Sequence, residues 1–266
     1  MRVLACDFDG VLCDSSREVF VVAADAYAAA QPGSPLLSSL TPLRAEVFAG
    51  KSRYLSDPLF ESFLDLLPLG NRAEDFGVAL RAIDGGLVIA DQDAYDRFFA
   101  HQETAWLESY HGLFYEVRAK LRAHARDAWL RLHRPYPGLA ETLRGHVKDC
   151  RMAVLTAKDG ESVDLLLAEL DMRDLFHDDL IFDKETGIHK TRHLQALSNR
   201  LKVDFPAITF VDDNVNHLQR AAELGVRPVL AGWGFNTARE HSLASSLGYE
   251  IADLSTAEAV LFKGVD

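Results

Sequence analysis

The sequence predicts an α/β fold, a parallel sheet with helices on both faces, interrupted near its start by a long helical insertion. From Pro135 onward, short apolar and β-branched runs alternate with segments of helical pattern, and strands separated by helices form parallel sheets covered on both sides. One further apolar run, Arg2 to Cys6, stands apart at the N-terminus. Between the two, Ser15 to Arg134 is rich in Ala, Leu and aromatic residues at helical spacing and has few β-branched runs.

Arg2 to Cys6 reads as a buried strand that ends in a polar cluster beginning at Asp7. The insertion is divided into several helices by breakers at Gln31-Pro32-Gly33-Ser34-Pro35 and at Gly85-Gly86. Pro135-Tyr136-Pro137-Gly138 is a turn leading into a helix that ends near His146. Strands are then expected at Arg151–Leu155, Leu180–Phe182, Ala207–Val211 and Arg227–Leu230. Helices are expected between them, over Ser162–Leu170, Thr191–Leu201 and His217–Leu224. The resulting domain boundaries are 1–15 with 135–266 for the core and 16–134 for the inserted helical domain.

Composition narrows the function. The 266 residues suit one large domain or two modest ones, and 48% hydrophobic residues supply a core. The net charge of −12 argues against nucleic acid as a broad-surface partner. It leaves room for a small phosphorylated metabolite, which a metal ion and a few local cations can bind. No apolar run nears the roughly 18 residues that span a bilayer, so no membrane partner is expected. The N-terminal apolar run meets Asp7 and Asp9, which the apolar region of a secretory signal would not contain. The three cysteines, Cys6, Cys13 and Cys150, have no metal-binding or redox spacing. They read as reduced thiols of a cytoplasmic protein, packed as small core residues. Nothing in the sequence speaks to oligomeric state.

Polar groups follow the apolar runs in an ordered set. Asp7-Phe8-Asp9-Gly10 follows the first strand, Thr156 follows Val154-Leu155, Lys190 opens a helix, and Asp212-Asp213-Asn214 follows Thr209-Phe210-Val211. Each alone could be a cap, a turn or a solvated residue. Their shared position at strand ends and a helix start, where ligands of parallel sheets bind, points to a site. The chemistry of a phosphate ester wants such a set. An anionic nucleophile such as Asp7 can attack only if cations offset the repulsion. Mg2+ prefers hard oxygen ligands, which Asp7 and Asp213 would supply, with Asp212 as a direct or water-mediated second. Lys190 would add fixed positive charge, Thr156 a hydroxyl donor, and Asp9 a group able to protonate the leaving oxygen.

These stretches, DFDGVLCDS, VLT, the isolated Lys190 and FVDDN, resemble the four motifs of the haloacid dehalogenase superfamily. The resemblance covers residues 1–15 and about 136–231, with the insertion where that family places a helical cap. It implies a Rossmann-like core and a phosphatase in which Asp7 forms an aspartyl-phosphate and Asp9 serves as acid and then base. It also implies that Thr156 and Lys190 bind the phosphoryl group, and that the main-chain carbonyl of Asp9 joins a Mg2+ shell. Dehalogenating members lack the second acid of the first motif, so Asp9 disfavours dehalogenation. The fourth motif departs from the commoner Gly-Asp form: it has Asp212-Asp213, and His217 stands where a further acid often falls.

For substrate choice, Gly50-Lys51-Ser52-Arg53 weakly resembles the specificity segment in the cap of sugar-phosphate mutases of that family. Lys51 and Arg53 are therefore candidate contacts to an anionic substrate group, against the alternative of a solvated basic turn. Ala157, beside Thr156, is a candidate substrate contact. Lys158 reads first as a surface lysine, with a phosphate-facing role as the alternative. Trp233, in Gly232-Trp233-Gly234 after the last core strand, is a lesser candidate for a contact, since the resembled family often has a glycine-rich loop near the site there. Competing functions are a phosphomutase or phosphotransferase using the same nucleophile, and a non-catalytic protein that binds a phosphorylated ligand.

Overall fold

The computed structural model describes residues 1–70 and 72–264. The chain forms two compact units, one built from the N-terminal segment to Asp14 and the chain from Arg134 onward, the other from Ser15–His133.

The first unit holds all the strands among the described residues. They are β1 (Arg2–Cys6), β2 (Cys13–Asp14), β3 (Arg134–Pro135), β4 (Cys150–Leu155), β5 (Ile181–Phe182), β6 (Ile208–Asp212), β7 (Arg227–Ala231) and β8 (Glu250–Ala252). Six of them form one parallel sheet in the order β5-β4-β1-β6-β7-β8. The chain fills one side of β1 with β4 and β5, then crosses to the other side for β6, β7 and β8. At such a reversal the carboxyl ends of the strands open a crevice. The register is level there: Cys6 pairs with Val154 on one side and Val211 on the other. The residues after β1, β4 and β6 therefore emerge side by side.

The sheet is buried on both faces, which is why its strands read as nearly continuous apolar runs. One face carries Val3, Ala5, Ala153, Leu155, Ile208 and Phe210, packed against Leu194 and Leu197 of one helix and Leu218 and Ala221 of another. On the other face Leu4, Met152, Val154 and Val211 are also buried. Each fully buried large side chain contributes about 1.5–3 kcal/mol. Helix starts fall slightly ahead of the expected ones because polar side chains cap them. Asp159 accepts from the Ser162 amide at 3.0 Å, so its helix begins at Gly160. Asn214 accepts from the Asn216 amide at 2.9 Å, so the next begins at Val215. The expected strand at Ala207 begins one residue later because Phe205–Ala207 forms a short 3-10 turn. β2 and β3 pair antiparallel, Cys13 with Pro135 and Asp14 with Arg134, so the two ends of the inserted segment are tied together within this unit.

The second unit is helical, with the long helices Ser16–Ala30 and Thr104–His124 and five others among its described residues. Its core is aromatic: Phe20 meets Phe60 and Phe63 edge-on at 5.0 and 5.2 Å, and Phe76 lies 5.3 Å from Phe114. The fully buried Glu18 is compensated by Arg118, which donates to both its oxygens at 2.8 Å. Such bidentate pairing makes the burial of a charge tolerable. The expected breakers hold, with residues 31–36 outside helices and Gly86, at φ +64°, turning the chain after Asp84.

Candidate active site

The site lies in the first unit. Asp7 continues the ladder past β1, its amide donating to Val211 O at 2.9 Å. Its carboxylate is 8% exposed and accepts from the Phe8 amide at 2.6 Å. The chain then turns sharply: the amides of Leu12 and Cys13 both donate to Phe8 O, and the Gly10 amide donates to Cys13 O at 2.8 Å. Gly10 has φ +79°, and a Cβ there would fall 2.0 Å from Asp213 Oδ2. Only glycine satisfies both the backbone and the approach of the two loops. Gly234 repeats the constraint from the loop after β7, since its Cβ would meet Gly10 O at 2.3 Å and Asp213 Cβ at 2.4 Å.

Lys190 is the first residue of the helix Lys190–Leu201 and is 6% exposed. Its Nζ donates to Leu155 O at 2.7 Å, lies 2.5 Å from Asp7 Oδ1 and stands 3.8 Å from Asp212 Oδ2. Asp212 is fully buried and accepts from the Asn214 amide at 2.9 Å, with His217 Nδ1 3.1 Å away. Asp213 Oδ2 accepts from the Phe235 amide at 2.8 Å.

Three buried carboxylates thus share one buried ammonium, and the electrostatics follow. Burial pushes the Asp7 carboxyl up to about 6, against the pull of Lys190. Burial, then repulsion from Asp212 and Asp7, pushes Asp213 well above the ordinary carboxylate range. Burial opposes ionisation of Asp212 too, but His217 and Lys190 outweigh it and hold its carboxyl below the usual value. Burial alone would lower Lys190; Asp7 and Asp212 raise it instead. A divalent cation fits this donor set, because the donors are hard oxygens and carry more negative charge than Lys190 offsets. Ligand atoms of Asp7, Asp212 and His217 lie within 4.8 Å of one another.

Thr156 directly follows β4 and is 2% exposed. Its amide donates to Phe182 O at 2.9 Å, and its hydroxyl accepts from the Lys158 amide at 3.1 Å. Ala157 between them is exposed. The reading of Lys158 as a surface lysine is corrected here: its side chain is 5% exposed and its Nζ lies 3.1 Å from Asp9 Oδ1. An i+2 position after a strand end carries no signal for where so long a side chain folds. Trp233 does reach the first loop, its indole donating to Val11 O at 3.0 Å. His217 stands beside Asp212, a contact that no sequence motif signals, since a residue five positions on reaches back only through the helix that carries it. Lys51 and Arg53 belong to the second unit, where both are exposed and Arg53 pairs with Glu46.

His193, one turn after Lys190, is fully buried. Its Nε2 lies 2.7 Å from Gly187 O and 3.2 Å from Asp183 O, so it donates there as the neutral ring and pins the loop that leads to Lys190. Burial, then the charge of Lys190, pushes this imidazole down from an ordinary 6.5 to about 4. The unfolded chain therefore takes up a proton below pH 6.5 that the folded chain refuses until about 4. The stability is fully present above pH 6.5 and is lost as pH falls toward 4, by on the order of 2 kcal/mol. Thermal melts across that window should show the decline. His193→Gln, which keeps an N–H donor, should flatten it; an unchanged slope would refute the assignment.

A family model described as "haloacid dehalogenase-like hydrolase" matches residues 1–225. No curated protein matches the chain. Among solved structures, a "putative phosphoglycolate phosphatase" of Lactobacillus delbrueckii subsp. bulgaricus is similar at TM-score 0.69 and 16% identity, covering 98% of this chain and 99% of that one. A haloacid dehalogenase-like family protein of Streptococcus pneumoniae is similar at TM-score 0.60 and 13% identity, with 97% of each chain covered. A family hydrolase of Deinococcus radiodurans, solved with bound phosphate and sodium, is similar at TM-score 0.58 and 16% identity over 100% of this chain and 97% of that one. At these identities the likeness speaks to the fold.

Proposed function

The chain belongs to the haloacid dehalogenase-like hydrolases, and on that footing we propose that it is a Mg2+-dependent phosphatase of small phosphate monoesters with Asp7 as nucleophile. The observation that carries this reading is the pairing of Asp7 with Lys190 at 2.5 Å, beside two further buried aspartates at the carboxyl ends of adjacent strands. A carboxylate so placed is shielded from water, and Lys190 holds one of its oxygens in a fixed direction.

In the first half-reaction an Asp7 oxygen forms a bond to phosphorus while the ester P–O bond breaks, and the departing oxygen takes a proton from the Asp9 carboxyl. In the second, water attacks the aspartyl-phosphate and gives its proton to the Asp9 carboxylate, releasing phosphate and restoring both acids. Lys190 and the Thr156 hydroxyl stabilise the charge on the phosphoryl oxygens, and Ala157 beside Thr156 would contact the same group. Asp7, Asp213 and Asp212, with the Asp9 carbonyl, would hold the Mg2+. That ion supplies charge neutralisation between the carboxylates and the phosphoryl group. In the same reading the unit Ser15–His133 is a cap that selects the substrate, with Lys51 and Arg53 as contacts to its non-reacting part.

The test is release of inorganic phosphate from a panel of phosphorylated metabolites, with Mg2+ present. Turnover is expected on at least one small monoester. A folded protein that releases phosphate from none, nor from an aryl phosphate, would sink the reading.

A further inference from the structure

Lys158 is buried near the strand ends, and the proposed mechanism gives its ammonium no part. Burying an ammonium costs several kcal/mol unless a partner compensates. Here the compensation is specific. Nζ reaches Asp9 Oδ1 at 3.1 Å and stands 6.0 Å from the centroid of the Phe8 ring, the residue between Asp7 and Asp9. The backbone of Lys158 is held from two sides: its amide donates to the Thr156 hydroxyl at 3.1 Å, and its carbonyl accepts from the Lys184 amide at 3.2 Å. The root of this side chain is therefore fixed to Thr156 on one side and to the segment leading to Lys190 on the other. Its charged end rests on the carboxylate two residues beyond the nucleophile.

The two partners differ in burial, and the difference indicates what the contact does. Lys158 is 5% exposed, whereas Asp9 is 32% exposed. A rigidly rooted ammonium on Oδ1 restricts the orientation of a carboxylate that is a third exposed. We propose that Lys158 is a positioning residue for Asp9: by holding Oδ1 it turns Oδ2 toward the reacting atoms, so that the leaving oxygen receives its proton from Oδ2. An ammonium can donate to Oδ1 whether Oδ2 carries a proton or not, so the same contact serves both half-reactions. The inference rests on the phosphatase reading of this site and adds to it a residue that binds neither phosphorus nor metal.

The experiment compares kcat/KM of Lys158→Met on two probes, glycerol 2-phosphate and p-nitrophenyl phosphate. kcat/KM reports events up to the first irreversible step, here the transfer to Asp7. An alkoxide cannot leave without a proton, and a positioned acid is worth about 10²–10⁴-fold. p-Nitrophenolate leaves unaided. The expected result is a loss of about 100-fold on glycerol 2-phosphate and less than about 10-fold on p-nitrophenyl phosphate. Lys158→Arg, which restores a cationic donor, should recover much of the first loss. Equal losses on both probes would mean that Lys158 binds the phosphoryl group or supports the fold, and would overturn the proposal. No loss on either would overturn it too. A wild-type protein that hydrolyses neither probe nor any other monoester would refute the phosphatase reading itself. Activity in the wild type with an unselective Lys158→Met refutes this inference alone.

Discussion

Asp7→Asn is expected to lower kcat for any phosphate monoester by about 10,000-fold or more while the protein stays folded. The amide is a far weaker nucleophile and a poorer ligand for a hard cation than the carboxylate, and no neighbour can take over. Asp212 is fully buried against His217 and Asn214, and the Asp213 carboxylate is engaged by the Phe235 amide. The fold should not suffer, and the electrostatics give the reason. A carboxyl raised to about 6 in the folded chain, against 3.8 ordinarily, holds its proton more tightly than the unfolded chain does. Stability therefore declines as pH rises through that window, and at neutral pH the ionised Asp7 is a net cost to the metal-free protein. Asparagine removes that cost. The variant should melt no lower than wild type in the absence of metal at pH 7.5, the pattern of an activity–stability trade-off. Phosphate release, with mass spectrometry to exclude deamidation back to Asp, decides the first point; activity within tenfold of wild type would remove Asp7 from the mechanism.

The fold was legible where physical pattern is strong. β1 and β6 are apolar on both faces and end at an acid, and the level register of Cys6 with Val154 and Val211 follows once such strands are parallel neighbours. β8 was missed because Glu250, Ile251 and Ala252 are too few to show a period, and β2 and β3 are only two residues each. In the site, strand-end position is what makes Asp7, Thr156 and Asp212 neighbours, and strand ends can be read from sequence. The reach of side chains cannot. Lys158 turns back onto Asp9, and His217 comes to Asp212 from the first turn of the helix that Asn214 caps. His193 reads as one more polar residue on a helix, and its hold on Gly187 and Asp183 depends on a loop path that no periodicity predicts.

Removal of divalent metal should abolish hydrolysis, and Mg2+ should restore it. The argument again starts from Asp7, Asp212 and Asp213, three buried carboxylates facing the single ammonium of Lys190 among them. Burial and mutual repulsion raise Asp7 and Asp213, so without a further cation part of this cluster resists ionisation near neutral pH. A cation reverses that preference, and binding it must expel the protons. Apparent Mg2+ affinity should accordingly weaken as pH falls through about 6, where Asp7 takes up its proton. Calcium should substitute poorly, because its looser and larger coordination does not hold the attacking carboxylate in line. A second readout does not depend on turnover: a ligand at 100 times its dissociation constant stabilises the folded state by about 2.7 kcal/mol, so Mg2+ should raise the melting temperature of wild type. Asp7→Asn, having lost a ligand oxygen, should gain much less. Undiminished turnover in excess chelator would rule out the metal-assisted scheme, and equal thermal shifts in wild type and Asp7→Asn would place the ion somewhere other than beside Asp7.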